Sequence, residues 1–286
     1  MDTLGHRSDK RNTKKRKQRG QLSAKATQIA GGISLAAAVV LAGAAVYGIS
    51  AGEGGTFGLQ KPSSTAAVAS PSKPESTLPL APHSVRLLVL GDSLAHGFGD
   101  QSGRGFAGDV AADYRRQGNT VIYENLGIDG LTSGQLWAQL QQPSVQHEVK
   151  NASVVLISIG GNDLHNSAGL PHIKLTRIHR AETVFLTNLT HILTLTRHLN
   201  HTSPVILVGL YNPYANVSAS ARQTNAIVEA WNAKEEAVVS TFSRMTVVPT
   251  MDLFAFHLNR YLYVDHFHPN ELGYQRIAAR IWQDLK

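Results

Sequence analysis

The chain has 286 residues, of which 42% are hydrophobic, and this composition of an ordinary folded protein excludes a wholly disordered chain. It contains no cysteine, which excludes disulfide bonds and a thiol nucleophile. The formal net charge of +7 lies within residues 1–25, which carry nine Lys/Arg and two Asp/Glu, whereas the 18 basic and 18 acidic residues of the remainder cancel. Because the excess charge is confined to a terminal tail, it does not indicate nucleic-acid binding by the folded part.

An uncharged, apolar stretch at 26–52 follows the basic tail at 1–25. Its run IAGGISLAAAVVLAGAAVYGI exceeds the roughly 20 apolar residues that are needed to span a bilayer. We predict a single transmembrane helix there, with the basic tail in the cytoplasm and the rest of the chain on the outer side of the cell membrane. The alternative is a signal peptide that is cleaved near the small residues at 50–52, which would release a secreted protein. The lengths of the basic region and of the apolar run favour the anchor.

Residues 53–83 are rich in Gly, Ser, Pro and Ala and contain few large apolar side chains. Such a segment cannot offset the entropy of ordering by burying apolar surface, so we predict a flexible linker. The folded domain is then expected to occupy residues 84–286, in which the sequence shows no internal repeat.

Short apolar runs rich in β-branched residues alternate with longer amphipathic segments within this domain. The runs predict strands at 85–90, 120–125, 153–159, 204–209 and 246–249. The amphipathic segments predict helices at 105–116, 133–141, 181–200, 219–240 and 270–283. Strands that are nearly continuous apolar runs, separated by helices, indicate a parallel sheet with both faces covered. The expected class is a doubly wound α/β domain.

Polar and glycine-containing motifs come directly after the first three predicted strands. The first strand is followed by Gly-Asp-Ser-Leu at 91–94, the second by Asn-Leu-Gly-Ile-Asp-Gly at 125–130, and the third by Gly-Gly-Asn-Asp at 160–163. Sheets of this kind bind ligands beyond the carboxyl ends of their strands. Ser93 is therefore a candidate nucleophile, and Asn162 and a glycine N–H of the second motif are candidate donors to an oxyanion.

A carboxylate and an imidazole lie three residues apart near the C-terminus, at Asp265 and His268, just before the last predicted helix. At this spacing Asp265 can hold one ring nitrogen of His268 while the other nitrogen faces Ser93. A metal site is the alternative, with ligands drawn from Asp265, His266, His268 and His257. The serine-hydrolase interpretation is favoured because it uses His268 together with several independently placed partners.

Each motif is weak alone, but the set, in this order, resembles the GDSL, or SGNH, hydrolases of the lysophospholipase and arylesterase type. The resemblance covers residues 84–286. It implies a catalytic triad of Ser93, His268 and Asp265. It also implies a flavodoxin-like three-layer sandwich around a five-stranded parallel sheet, with neither a metal ion nor an organic cofactor in the site.

The resemblance further assigns an oxyanion hole to the backbone N–H groups of Ser93 and Gly130 and to the side-chain amide of Asn162. Gly130 is preferred to Gly127, because members of the family place the donor glycine five residues after the asparagine and just before a Thr/Ser pair, here at 132–133. Gly127 is then expected to have only a backbone role.

Three residues near these motifs are candidates for substrate contacts: Leu164, Tyr211 and Asn212. The segment 164–180 is long for a connection between secondary-structure elements. It is expected to form either a wall or lid over an acyl chain or a surface excursion, and the sequence does not choose between these.

The expected activity is that of a serine esterase or acyl hydrolase that acts on a lysophospholipid or another acyl ester through an acyl-enzyme. One alternative is an O-acetyl esterase that acts on cell-wall or other carbohydrate. An alternative of another class is a catalytically silent, membrane-anchored binding protein. A membrane tether favours lipid-like substrates, and the intact set of site residues favours catalysis. The sequence does not indicate an oligomeric state.

Overall fold

The computed structural model describes residues 83–217 and 220–286. The tail and anchor that we predict at 1–52, and the linker at 53–83 apart from His83, lie outside the described residues. Within the part that the structure describes, no helix is both long enough and apolar enough to cross a membrane. The transmembrane helix therefore stays a prediction.

Five parallel strands form one sheet in the order β2-β1-β3-β4-β5. They are β1 (Ser84–Gly91), β2 (Thr120–Gly127), β3 (Val154–Ser158), β4 (Val205–Val208) and β5 (Met245–Val248). The order is that of flavodoxin-like doubly wound sheets. Every residue of β3 and β4 is buried, because helices cover both faces of the sheet. The predicted five-stranded parallel sheet is confirmed.

The helices of the described residues surround this sheet. They are α1 (Ser93–His96), α2 (Gly105–Arg116), α3 (Ser133–Leu140), α4 (Pro143–Asn151), α5 (Gly161–Ala168), α6 (Leu175–Leu199), α7 (Ala221–Val239), α8 (Met251–Ala255), α9 (Leu258–Tyr261) and α10 (Glu271–Asp284). Each of the five predicted helices is present. The prediction for 181–200 was wrong at its start, because α6 begins at Leu175. The segment 164–180 is consequently the end of one helix, a short loop and the start of another.

Two apolar clusters pack against opposite faces of the sheet, because side chains alternate between faces along each strand. Leu88 and Leu90 of β1 join the cluster under α3, α4, α6 and α7, whereas Leu87 and Val89 join the cluster under α2 and α10. Burying one such side chain contributes about 1.5 to 3 kcal/mol. These layers fix the sheet between its helices and so determine where the strand ends lie.

All five strands run in one direction, so their carboxyl ends share one side of the molecule. We call the segments that follow the carboxyl ends of the strands, together with the first turns of α6 and α10, the carboxyl edge. It comprises residues 92–104, 128–132, 159–180, 209–217 and 249–274. Every candidate site residue predicted above lies in it.

Candidate active site

Ser93 is the first residue of α1 and follows a tight turn from β1. The side chain of Asp92 caps this helix: its Oδ1 accepts hydrogen bonds from Leu94 N at 3.0 Å and from Ser158 Oγ at 3.0 Å. The capping oxygen satisfies a backbone N–H that the first turn leaves free. The turn is thereby tied to both β1 and β3, and it holds Ser93 Oγ 2.9 Å from His268 Nε2.

Asp265 organises the loop that carries His268. Its Oδ1 accepts hydrogen bonds from the backbone N–H groups of Phe267 at 2.9 Å and His268 at 3.0 Å, and its Oδ2 lies 2.6 Å from His268 Nδ1. Between them His266 has a left-handed backbone, with φ of 56°. One carboxylate thus holds both the turn and the imidazole, which explains the three-residue spacing.

The protonation state of this pair follows from its hydrogen bonds. Burial alone would raise the pKa of Asp265, but the hydrogen bonds from the His268 ring and from the Phe267 and His268 N–H groups outweigh it and lower the pKa below its ordinary value. An ionised carboxylate only accepts hydrogen bonds, so His268 Nδ1 is the donor. In the neutral ring, Nε2 then carries the lone pair that can receive the Ser93 proton.

Three N–H donors of the carboxyl edge are the candidates for an oxyanion hole. The backbone N–H groups of Ser93 and Gly130 donate no hydrogen bond within the described residues. One N–H of the Asn162 amide donates to Leu131 O at 2.9 Å, which fixes the plane of the amide and leaves its second N–H for a ligand. The arrangement can bind a developing oxyanion.

The two glycines of the second motif have different roles. Gly130 has φ of 77°, a left-handed conformation that side chains rarely adopt, and nothing crowds the position of a Cβ there. At Gly127 a Cβ would instead collide with the backbone of Ala95 and His96. Gly127 therefore allows α1 to approach β2, in agreement with the backbone role expected for it.

A pocket opens beside His268 between α5, α7 and the segment after β4. Phe267 lines it, and the ring of Phe267 packs edge-on against the His268 ring at 5.0 Å. The free space of the pocket, counted together with its open mouth, is about 570 Å³. Most of its wall is apolar and includes Leu164, Ala168, Ile173, Ile178, Ile227 and Val228.

The three predicted substrate contacts, Leu164, Tyr211 and Asn212, all line this pocket. The polar groups of the last two are already bonded within the protein. Tyr211 Oη donates to Phe267 O at 2.5 Å, and Asn212 Nδ2 donates to Thr224 Oγ1 at 2.9 Å. Their positions suit contact with an apolar ligand group, whereas their hydrogen bonds hold the loops in place.

His165 is a pocket residue that the sequence did not indicate. Its Nδ1 lies 3.1 Å from Tyr214 Oη, and its ring packs against Phe267. Burial lowers the pKa of His165, and the nearby His268 lowers it further. The Gly-Gly-Asn-Asp motif at 160–163 does not by itself indicate a helix. The helical spacing that places Leu164, His165 and Ala168 on one pocket is therefore visible only in the structure.

The metal alternative has no geometric support at His257. That ring packs against Tyr261 at 5.6 Å, and among residues 83–217 and 220–286 no group of three His, Asp or Glu side chains could hold a metal ion. His266 likewise forms no hydrogen bond to Asp265 through its ring, and only its backbone takes part in the turn. The observed contacts of His268 are those of a serine–histidine–aspartate series.

Two buried carboxyl groups interact beneath the nucleophile. Glu235 of α7 is 1% exposed, and neither of its oxygens has a hydrogen-bond partner in the described part of the chain. Burial raises its pKa to about 8, with a further contribution from the charge of Asp92. Burial also raises the pKa of Asp92 to about 6, against the hydrogen bonds from Leu94 and Ser158. Glu235 therefore carries a proton at neutral pH.

The parent protein is expected to lose stability as pH rises from about 4.5 to about 8, because of Glu235. Glu235→Gln should abolish this loss. In this window the unfolded carboxyl has lost its proton and the folded one retains it, so the free energy of unfolding falls as pH rises. Glutamine cannot ionise. The stability of the variant relative to the parent should grow by on the order of 5 kcal/mol across the window, as measured by urea denaturation at several pH values.

The matched control is Glu236→Gln, which changes the exposed neighbouring residue on the same helix. Its stability difference from the parent should be nearly independent of pH. A pH-independent difference for Glu235→Gln as well would show that the buried carboxyl does not retain its proton.

Comparison with known proteins adds to this geometry. The chain matches the model of the GDSL-like Lipase/Acylhydrolase family over residues 89–276. It is 32% identical over 206 residues to Uncharacterized protein YpmR of Bacillus subtilis (strain 168), a match that covers 70% of this chain and 81% of that protein. It is 25% identical over 209 residues to Spore germination lipase LipC of Bacillus licheniformis, covering 68% of this chain and 92% of that protein.

Similar solved structures include two esterases of related fold. The lipase Lip_vut3 from a goat rumen metagenome has a TM-score of 0.64 and 23% identity, covering 70% of this chain and 97% of that one. The acetylxylan esterase Axe2 from Geobacillus stearothermophilus has a TM-score of 0.56 and 20% identity, covering 70% and 94%. At these identities they support the fold alone. Because the family model matches more than half of the chain, and the Bacillus subtilis relative is 32% identical over most of its length, the chain belongs to the GDSL-like lipase/acylhydrolase (SGNH) family.

Proposed function

We propose that the chain hydrolyses carboxylic esters through an acyl-enzyme on Ser93, with His268 as general base and acid and Asp265 as its orienting partner. The observation that carries the proposal is the unbroken hydrogen-bond series from Ser93 Oγ through the His268 ring to Asp265 Oδ2. Membership of a hydrolase family supports it. A protein that only binds a ligand has no need of this series.

The reaction begins with the attack of Ser93 Oγ on the ester carbonyl carbon, while His268 Nε2 takes the hydroxyl proton. The carbonyl oxygen becomes an oxyanion. When the tetrahedral intermediate collapses, the bond to the alcohol breaks and His268 returns the proton to the departing oxygen. Water then attacks the acyl-enzyme, with its proton taken by His268, and the acid leaves as Ser93 recovers its hydrogen.

The oxyanion accepts hydrogen bonds from the N–H groups of Ser93 and Gly130 and from Asn162 Nδ2. Removing one such donor costs roughly 3 to 4 kcal/mol of transition-state stabilisation in comparable sites. The hydrogen bond from Asn162 to Leu131 O supports this role, because it orients the amide before the substrate arrives. Little reorganisation is then needed during the reaction.

The acyl group of the proposed substrate is a chain rather than an acetyl group. The pocket beside His268 is lined mainly by apolar side chains, and burial of each methylene contributes about 0.8 kcal/mol. An acetyl group would leave most of that wall without a contact. The naming of the relative LipC as a lipase agrees with a lipid-like ester, such as a lysophospholipid.

Hydrolysis of a series of nitrophenyl esters, from acetate through octanoate to palmitate, tests this function on the purified full chain. We expect kcat/KM to increase from acetate to octanoate. A preference for acetate would instead favour the carbohydrate O-acetyl esterase. No turnover of any ester above the level of a Ser93→Ala variant would favour the silent binding protein.

Ala168→Phe should shift this preference toward short acyl chains. Ala168 lies on the pocket wall, and a phenyl ring there would fill space that the acyl chain needs. Losing contact with two methylenes alone lowers kcat/KM for octanoate about tenfold or more, whereas the acetate ester should react almost normally. Ala138→Phe, at an exposed position of α3, is the control and should leave the ratio unchanged. An unchanged ratio for Ala168→Phe would mean that the chain binds elsewhere.

A further inference from the structure

Three cations in the first turns of α6 lack an acidic partner. Lys174, Arg177 and Arg180 are exposed, and none forms an ion pair within the described residues. The stretch 164–181 contains no carboxylate at all. Of the flanking acids, Asp163 accepts hydrogen bonds from Ser133, and Glu182 pairs with Lys234.

The exposed carboxylates elsewhere on the carboxyl edge do not balance these cations. Each one that is exposed already has a partner of its own: Glu271 pairs with Arg104, Asp252 pairs with Arg280, and Asp129 Oδ1 lies 2.8 Å from His96 Nδ1. The first turns of α6 are therefore a locally positive surface on a domain whose overall charge is balanced.

The same edge exposes large apolar side chains. Of the seven such residues in the described part of the chain, five belong to the carboxyl edge, and they are Ile128, Leu175, Phe256, Val264 and Leu272. Two of them are almost fully in solvent, with Phe256 88% and Val264 76% exposed. Single exposed apolar residues need no explanation, but the presence of five of the seven on the same edge as the unpaired cations does.

The start of α6 also joins this surface to the pocket. Ile173 and Ile178 line the pocket wall, whereas Lys174 and Arg177 face solvent. The segment therefore has its apolar side on the pocket and its cations on the outer surface, so a headgroup bound to these cations would lie close to the pocket wall. A chain leaving such a surface could enter the pocket directly.

We propose that the carboxyl edge docks on an anionic phospholipid bilayer, with Lys174, Arg177 and Arg180 against the headgroups and the exposed apolar side chains in the interface. Lipid is favoured over a soluble anionic polymer because the surface combines cations with exposed apolar groups, and such a polymer offers no apolar phase for the latter. Docking goes beyond the proposed hydrolysis and does not depend on it, so it is measured on a chain carrying Ser93→Ala.

The test uses a single reporter cysteine in the full chain, which has no cysteine of its own. Thr176→Cys, at an exposed position between the cations, carries a polarity-sensitive fluorophore. The protein is reconstituted in vesicles of phosphatidylcholine alone or of equal parts phosphatidylcholine and phosphatidylglycerol, so that any N-terminal anchoring is the same in both. We expect a blue shift in the anionic vesicles that high salt reverses.

Replacing Lys174, Arg177 and Arg180 together by Gln should shift the docking equilibrium about a hundredfold toward the undocked state, at about fivefold per cation. A control variant replaces three exposed cations elsewhere, Arg115, Lys150 and Lys286, and should keep the blue shift. A reporter at Ser243→Cys, on an exposed loop before β5 and so at the opposite edge, should show no shift.

Several results would overturn the proposal. These are an equal shift in neutral vesicles, an equal shift at Ser243→Cys, and a shift that survives the triple Gln replacement in a chain with an unchanged melting temperature. A shift produced equally by soluble dextran sulfate would assign the surface to polyanions rather than to lipid. Absence of docking in the Ser93→Ala chain, with normal ester hydrolysis by the parent chain, would overturn docking and leave the proposed function intact.

Discussion

Ser93→Ala should lower kcat for ester hydrolysis by about 10³- to 10⁶-fold, with the free energy of unfolding nearly unchanged. In the proposed mechanism the serine oxygen forms the covalent bond to the acyl group, and among the described residues no other hydroxyl contacts His268 Nε2. Its removal deletes one hydrogen bond but leaves the cap formed by Asp92 in place. Steady-state kinetics with nitrophenyl octanoate measure the loss, and urea denaturation measures stability.

Ser144→Ala is the control for this variant, because Ser144 is exposed at the start of α4 and lies outside the carboxyl edge. It should retain the parent rate. If Ser93→Ala kept its rate within a factor of about ten while remaining folded, the acyl-enzyme mechanism would be wrong.

Asp265→Asn should lower kcat by about 10⁴-fold, the second-largest effect expected. The amide oxygen of asparagine can still accept the backbone hydrogen bonds of Phe267 and His268, so the turn should persist. Its NH₂ group would donate to His268 Nδ1, which forces the ring proton onto Nε2 and removes the base from Ser93. The imidazolium formed during attack would also lose its carboxylate partner.

A comparison of Asp265→Asn with Asp252→Asn separates this effect from a general change of charge. Asp252 is an exposed acid that pairs with Arg280, and its replacement should leave kcat unchanged. Equal rates for Asp265→Asn and the parent would remove Asp265 from the mechanism. An equal loss in both variants would point to stability rather than to imidazole orientation.

The sheet could be predicted from the sequence because its strands are short, nearly continuous apolar runs between polar turns. The start of α6 could not be predicted from the sequence. Ile178 is the only fully buried side chain in its first seven residues, and the remaining residues have the pattern of a polar loop. The eight-residue helix α5 could not be predicted from the sequence for a related reason. It begins within the Gly-Gly-Asn-Asp motif at 160–163, and Gly169 ends it after two turns.

The residues near the nucleophile could be predicted because parallel strands bring their carboxyl ends together whatever the details of packing. The pocket depends on those details. Ile227 and Val228 of α7 reach it from a helix that the sequence indicated only as a cover for the sheet. Glu235 is a similar case, because its spacing on α7 does not reveal that the carboxyl group is fully buried.

The hydrogen bond from Tyr211 Oη to Phe267 O joins the pocket wall to the loop that carries His268. The ring of Tyr211 forms part of the pocket wall, and Phe267 immediately precedes the histidine. An acyl chain in contact with this wall would also displace the loop that orients the His268 imidazole. If the proposed acyl substrate binds there, we expect the length of the acyl chain to change kcat as well as KM.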